Sequence, residues 1–448
     1  MTSEMFVWAW LPGRREPVVC GRVWAEGAGH QFQYGRSYLA RPDAIGLYGI
    51  PLGDQPIQPP AGMGLHGALR DGLPDAWGQH VILNRLTGRS GSDGDTGDLD
   101  DLTYMRESAS DRFGAIDFQA DAGHYVARQE DATLDDLAAA AAAMEEGRPL
   151  PPALDAALTH GTTIGGARPK ATLVDSDGDG WIAKFSSSSD RGNPTVRNEA
   201  LALDLARQAG LQTVEFTLTT AAGRDALLVR RFDRGPHGAR IMAVSGLTLL
   251  RLDELVARYA TYPDLLDVLR SHSDAPAEVG PQLFTRIAAN IALGNTDDHA
   301  RNHAALWDGQ SLTLSPAYDL DPCRTPGWDA NQAMAYGRNG ERASTLEGLV
   351  RAAAVYDLSS IQARHIVAEV VGVIEDNWDE SVDRVGLTHE QGKALRGSRV
   401  LNRGILDGRA SLLPADEAPR RPGRVWVQAH VRGGHPVAGH WRTLQAHD

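Results

Sequence analysis

The sequence predicts an α+β protein whose first part carries small sheets and whose second part is mainly helical. Up to about residue 240, short runs of bulky and β-branched residues are cut by glycine and proline turns, the pattern of short strands. Beyond about 245 the apolar residues recur at helical spacing over longer segments. With 448 residues, 42% hydrophobic and 23% charged, the chain is a folded protein of one to three domains and too long for a single binding module.

The opening MFVWAWLPGRREPVVCGRVW reads as two strands joined by PGRREP, and FQYGRSYLA continues the strand pattern. Loop glycines then surround Leu73-Pro74-Asp75-Ala76-Trp77-Gly78, and VILNRLT reads as helix. The acidic, glycine-rich GSDGDTGDLDD has little to bury and forms a solvated loop before the helix LTYMRES. DATLDDLAAAAAAMEE has helical spacing with acids near its start, where they complement the helix dipole, and ends at Gly147 and a proline linker. A glycine loop, LTHGTTIGGARPK, leads to the strand ATLV, a turn at DSDGDG and the strand WIAKF. VRNEALALDLARQAGL is an amphipathic helix stopping at Gly210, after which DALLVRRFDR returns to strand. RLDELVARYA, PDLLDVLRS, GPQLFTRIAANIALG, TLEGLVRAAAVY and ARHIVAEVVGVIEDNWDESVDRVG supply the later helices, and HEQGKALRGSRV is less regular. From Pro419 onward, RVWVQAHVRGGHPVAGHW forms a hairpin with a Gly-Gly turn.

Lys and Arg total 44 against 58 Asp and Glu, a net charge of −14 that disfavours wholesale wrapping by nucleic acid. The segment after Pro419 is locally basic, with Arg420, Arg421, Arg424, Arg432 and Arg442 against Asp448, so contact with a polyanion would be confined there; a decorated edge hairpin or an extension is the alternative. Cys20 and Cys323 allow one bridge at most, which suits a reducing compartment. The start lacks the layout of a signal peptide and LAAAAAAM is far too short to span a bilayer, so the expected location is the cytoplasm, with no membrane partner.

The chemistry concentrates in Gly294-Asn295-Thr296-Asp297-Asp298-His299-Ala300-Arg301-Asn302-His303 and the following LWDGQSLTLSPAYDLDP. Phosphoryl transfer from ATP needs a carboxylate on the attacking hydroxyl, an amide and a second carboxylate for Mg²⁺, and a cation on the phosphates. Asp297, Asn302 five residues on, and Asp319 seventeen further supply the first three, and one Asn with one Asp suffices for an ion that keeps some of its waters. Residue types alone also permit an Asp/Asn-rich capping loop with a buried helper histidine. The cation is Lys184, on a strand whose alternation aims it away from Ala183 and Phe185. Upstream, Thr163-Ile164-Gly165-Gly166-Ala167 can cradle phosphates with backbone amides, although it lacks the Walker pattern. Glu199 on the next helix either pairs with Lys184 or stands exposed. Asp175, Asp177, Asp179 and Gly180 imitate half of a calcium loop, but Ser186 stands where a bidentate Glu is required, so the segment reads as a hairpin turn.

With these residues assembled, the chain resembles the HipA family, serine/threonine protein kinases that act as toxins in bacterial toxin–antitoxin pairs. The resemblance covers most of residues 10–390 and rests on LPDAWG (73–78), DRFGAIDF (111–118), TIGGARPKA (163–171), IAKF (182–185), NEALALDLARQAGL (198–211), VRRFDR (229–234), GNTDDHARNHAAL (294–306) and LSPAYDLDP (314–322). It implies a fold related to protein and phosphoinositide kinases, with a mixed N-terminal lobe of small sheets and a predominantly helical C-terminal lobe. The expected divisions are a sheet-containing subdomain (1–125), the nucleotide-binding part of the N-terminal lobe (126–240) and the catalytic helical lobe (241–390), followed, beyond the resemblance, by a C-terminal extension with a basic, His-rich hairpin or tail (391–448). Asp297 would be the catalytic base, His299 the support of its loop, Asn302 and Asp319 the Mg²⁺ ligands, and Lys184 the contact to the ATP phosphates. Thr163 stands where relatives carry an autophosphorylated serine.

The implied partners are a small HipB-like helix-turn-helix antitoxin, DNA reached indirectly through it, and a cytoplasmic protein substrate such as glutamyl-tRNA synthetase or another aminoacyl-tRNA synthetase. Two other readings stay open: a small-molecule kinase sharing the Asp…Asn…Asp arrangement, and an inactive kinase-like corepressor that partners the antitoxin.

Overall fold

The computed structural model describes residues 3–27, 29–88, 95–128, 133–146, 170–187, 190, 193–324 and 329–407, together with four short strands between 424 and 443. The first sheet has the order β3-β2-β1-β4, all antiparallel, from β1 (Glu4–Ala9), β2 (Val18–Glu26), β3 (Gly29–Tyr34) and β4 (Ile116–Gln119). Alternation along β1 sends Met5, Val7 and Ala9 into a core shared with Phe32, Tyr34, Ile82 and Phe118. The helix Ala76–Thr87 begins at Asp75, whose carboxylate accepts a hydrogen bond from the Gly78 N–H at 2.7 Å.

FQYGRSYLA does not continue as strand past Tyr34. The chain turns at Gly35 into the helical turn Arg36–Leu39, which stacks the ring of Tyr38 on that of Tyr34 at 5.6 Å. An extended chain would carry residues four apart to about 13 Å, so burying both tyrosines in one core selects the turn.

The second sheet has the order β5-β6-β8-β7, from β5 (Lys170–Val174), β6 (Gly180–Phe185), β7 (Phe216–Ala221) and β8 (Arg224–Arg230), again antiparallel. One face buries Ala171, Ala183, Phe185 and Ala226 against Leu137, Ala138 and Ala141 of the helix Leu134–Glu145. The opposite face carries Lys170, Lys184, Leu227 and Val229, the two apolar residues packing into the same core as the helix Thr195–Gln208. The turn between β5 and β6 closes through the carboxylate of Asp175, which accepts from Asp177 N, Asp179 N and the Trp181 indole at 2.8–2.9 Å. Its oxygens are thereby committed to the turn.

The larger core belongs to the helices Tyr262–His272, Pro276–Leu293, Leu346–Arg351 and Ser360–Arg384, with the Thr195–Gln208 helix packed against the last of these. Pro276–Leu293 runs through the middle, with Phe284, Ile287, Ala288, Ile291 and Ala292 fully buried. A small sheet of order β11-β10-β9 joins β9 (Ala243–Ser245), β10 (Ala304–Trp307) and β11 (Leu312–Leu314). HEQGKALRGSRV resolves into the helix His389–Leu395, fixed by a capping box between Thr388 and Gln391.

Two predicted helices are shorter than their periodicity suggests. RLDELVARYA forms only the 3₁₀ segment Glu254–Tyr259, because its apolar residues are divided: Leu252, Ala257 and Ala260 pack on the helical core, while Leu255 is 85% exposed and Tyr259 61%. TLEGLVRAAAVY breaks after Leu346–Arg351 into the 3₁₀ turn Ala353–Tyr356, which lets the Tyr356 hydroxyl donate to the Tyr336 carbonyl at 2.7 Å and its ring meet Phe284. Beyond the helical body, β12 (Arg424–Val427) pairs with β15 (His440–Thr443), and β13 (His430–Arg432) with β14 (His435–Val437). Among the described residues no helix is long and apolar enough to cross a membrane.

Candidate active site

The Pro276–Leu293 helix ends at Gly294, whose φ of 71° is left-handed. A Cβ there would lie 2.5 Å from the Arg399 carbonyl oxygen, so glycine is required by conformation and by space. The loop that follows is held from inside. The Asn295 amide donates to Asn290 Oδ1 at 3.0 Å, and Gln332 donates to the Asn295 carbonyl at 2.9 Å.

The adjacent carboxylates Asp297 and Asp298 have opposite surroundings. Asp298 is 1% exposed and accepts from the Tyr262 hydroxyl at 2.5 Å and from Ala333 N at 2.9 Å, so it ties the loop to the helical core. The Asp297 side chain is 69% exposed, with His299 Nε2 at 3.9 Å. Partial desolvation raises the Asp297 carboxyl above its ordinary value, and the nearby His299 opposes that rise. Asn302, in the 3₁₀ turn Ala300–Asn302, donates from Nδ2 to the Asp297 carbonyl at 2.8 Å. That bond orients the amide and leaves Oδ1 for another partner.

Across from this loop, Lys184 Nζ lies 2.6 Å from Glu199 Oε1 and 2.5 Å from Asp319 Oδ1. Glu199 is delivered by the buried face of the Thr195–Gln208 helix, so it is not an exposed helix acid. Asp319 is a non-glycine residue at φ 57°, a conformation that is held only where the surroundings impose it. Its segment is pinned where Val214 N donates to the Ala317 carbonyl at 3.0 Å and Ala317 N to the Gln212 carbonyl at 2.7 Å. Burial lowers the affinity of Lys184 for its proton, yet the two carboxylates more than reverse this and keep it charged. Burial also works to raise Asp319, but Lys184 and then Lys170 bring it down to about 2. The structure thus brings Lys184, Glu199, Asp297, His299, Asn302 and Asp319 to one region; Thr163, Ile164, Gly165, Gly166 and Ala167 lie outside the described residues.

Lys170 and Asp75 have no role in the sequence reading, although both stand in motifs that it singles out. Lys170 is the direct cross-strand partner of Lys184, and its Nζ lies 3.5 Å from Asp75 Oδ2. No spacing rule links positions so far apart in the chain; only the placement of the second sheet beside the Ala76–Thr87 helix joins them.

The oxygens available suit a hard divalent cation. Asn302 Oδ1 and the Asp319 carboxylate are the kind of ligands Mg²⁺ takes, leaving the rest of an octahedral shell to water and phosphate. Among the described residues there is no group of three or more His, Cys, Asp and Glu that could hold a metal.

A small antiparallel sheet presenting a lysine bonded to a helix glutamate, set over a helical body whose loop carries Asp297 and Asn302, defines a protein-kinase-like bilobal fold. Residues 162–378 match the model of the HipA-like C-terminal domain. Y4mE of Sinorhizobium fredii (strain NBRC 101917 / NGR234), named as an inferred kinase, is 30% identical over 154 residues, which are 32% of this chain. The chain spans about a third of that relative's length, 36%. A chain from the solved complex of the Shewanella oneidensis MR-1 toxin–antitoxin system, HipA, HipB and operator DNA, shares the fold at a TM-score of 0.63 and 15% identity, over 90% of this chain and 98% of that one.

Proposed function

We propose that this protein is an ATP-dependent serine/threonine protein kinase acting as the toxin of a toxin–antitoxin pair. The observation that carries the reading is Lys184 held between Glu199 and Asp319, facing a loop that offers one exposed carboxylate and one oriented amide. Glu199 keeps the Lys184 ammonium extended toward the phosphates of ATP. Mg²⁺ held by Asn302 Oδ1 and Asp319 would neutralise charge on the transferred phosphoryl group. Asp297 accepts the proton of the attacking serine or threonine hydroxyl as its oxygen bonds to the γ-phosphorus and the bond to the bridging oxygen breaks, releasing ADP. The raised Asp297 carboxyl is a better base than an ordinary surface aspartate.

The family resemblance suggests a small helix-turn-helix antitoxin as partner, and the similar fold found in a complex with HipB and operator DNA supports that choice. The charge of −14 favours DNA contact through the antitoxin over direct binding. A cytoplasmic protein such as an aminoacyl-tRNA synthetase is the proposed substrate, and Thr163 the proposed site of self-phosphorylation.

Labelled ATP added to a cell lysate, with wild type, D297A and D319A compared, tests this reading and exposes the substrate. D297A should lose about 10²–10⁴-fold in transfer while still binding nucleotide. D319A should lose the Mg²⁺-dependent part of nucleotide binding. Equal labelling by wild type and D297A would refute the assignment.

A further inference from the structure

The motifs DRFGAIDF (111–118) and VRRFDR (229–234) meet in one largely buried ion network, separate from the charges around Lys184. Asp111 pairs with Arg231 at 2.8 Å and Arg234 at 2.6 Å, and Asp233 pairs with the same two arginines. Asp117 on β4 pairs with Arg112 at 2.7 Å and Arg128 at 3.1 Å. Each of these carboxylates is therefore already shared by two guanidinium groups. A further arginine, Arg240, joins the cluster where its backbone bridges that of Arg234. It has no acid of its own. Its guanidinium carbon lies 3.7 Å from the centre of the Trp10 ring, and its buried Nη1 makes no hydrogen bond. An indole face softens the loss of hydration but offers no oxygen to the N–H donors. Burial pushes Arg240 down to about 10, and Arg234 works in the same direction.

A second unused donor stands beside it. The Tyr125 hydroxyl is buried next to Ser110 and Asp117 without a hydrogen bond of good geometry, within the field of Arg240, and its ring meets Trp10 edge-on at 5.4 Å. A buried cation in excess of its acids and a buried hydroxyl, both set against Trp10, are donors that an oxyanion would satisfy. The network's two surplus positive charges match a phosphate group, which carries nearly two negative charges, better than a carboxylate. Arg240 is only partly buried, so the position is open to solvent. We propose that Arg240 and Tyr125 bind a phosphate group, either inorganic phosphate or a phosphoryl group on a protein, where the first sheet meets the chain leaving β8. The bound anion would brace these two parts against each other. The site shares no residue with the nucleotide reading given above and is tested independently of it.

Calorimetric titration of the full chain at constant ionic strength, with inorganic phosphate and with a phosphoserine peptide beside its unphosphorylated form, tests the proposal. Wild type should bind phosphate saturably. R240Q keeps a planar amide against Trp10 without the charge and should lose about tenfold or more in affinity. Y125F removes one hydroxyl and keeps the ring; it should lose about threefold or more, and it carries the test if R240Q does not fold. The thermal midpoint of wild type should rise with phosphate more than that of R240Q, since general salt effects act on both alike. Tighter binding of the phosphopeptide than of inorganic phosphate, absent from the unphosphorylated form, would assign the site to a phosphorylated protein; any other order would assign it to the free ion. Wild-type affinity in one folded variant would overturn the contact given to that residue. Wild-type affinity in both, or no saturable binding by wild type, would overturn the site and leave Arg240 a structural role on Trp10.

Discussion

The two neighbouring aspartates of the loop make opposite predictions for the same chemical change. Asp298→Ala removes the acceptor of the buried Tyr262 hydroxyl and of Ala333 N. Hydrogen bonds to a charged group are each worth about 1.5–3 kcal/mol net, and the Tyr262 hydroxyl is left in the core with only a 3.4 Å contact from Asn290. D298A should therefore cost about 3–6 kcal/mol of stability. Asp297→Ala removes a side chain that is 69% exposed and has its nearest charged neighbour at 3.9 Å. Surface changes of that kind stay within about 0.5 kcal/mol. Transfer, by contrast, should fall about 10²–10⁴-fold in D297A. Urea denaturation of both variants, paired with labelled-ATP transfer at a temperature where both are folded, separates the two effects. A stable, inactive D298A beside a destabilised, active D297A would refute the division of labour.

Burial lifts the Asp75 carboxyl to about 6 against the pull of Lys170, so its folded pKa lies above the ordinary 3.8. Its contribution to stability is full below the unfolded value and is lost as pH rises through about 6. The stability of wild type relative to D75N should accordingly decline between about pH 4 and pH 6 and then level off, as followed by urea midpoints; a flat difference would exclude it. Asp233 is buried and accepts from Arg231 at 2.8 and 2.9 Å, Arg234 at 3.0 Å and Gly114 N at 2.7 Å. D233A should cost about 3–5 kcal/mol in the same assay, and a shift under about 0.5 kcal/mol would contradict the network reading. G294A forces a side chain into the left-handed region and against Arg399, at a cost of at least about 1–2 kcal/mol, and should lower transfer by displacing the Asp297 loop. An unchanged thermal midpoint would show that the helix end yields without strain.

The residues along one stretch of chain were the legible ones. Asp297, Asn302 and Asp319 stand close in sequence because a helix end, a tight turn and a short hairpin carry them, and these are local structures that glycine and apolar spacing announce. Lys184 was legible for the same reason: alternation on one strand determines which face it occupies. Periodicity failed where much of the apolar side stays in solvent, as at Leu255 and Tyr259 of Glu254–Tyr259, since a helical pattern becomes a stable helix only when its apolar side is buried.

By itself, then, the sequence determined the α+β class, the order of the elements, the resemblance to the HipA family and which short segments hold the polar groups of the site. Tertiary structure alone decided that Glu199 is buried against Lys184, that Asp298 and not Asp297 belongs to the core, and that Asp75 meets Lys170. Those three facts depend on how separate elements dock, and a side chain's charge state and exposure are set by neighbours that may be a hundred residues away along the chain but only a few ångströms away in space.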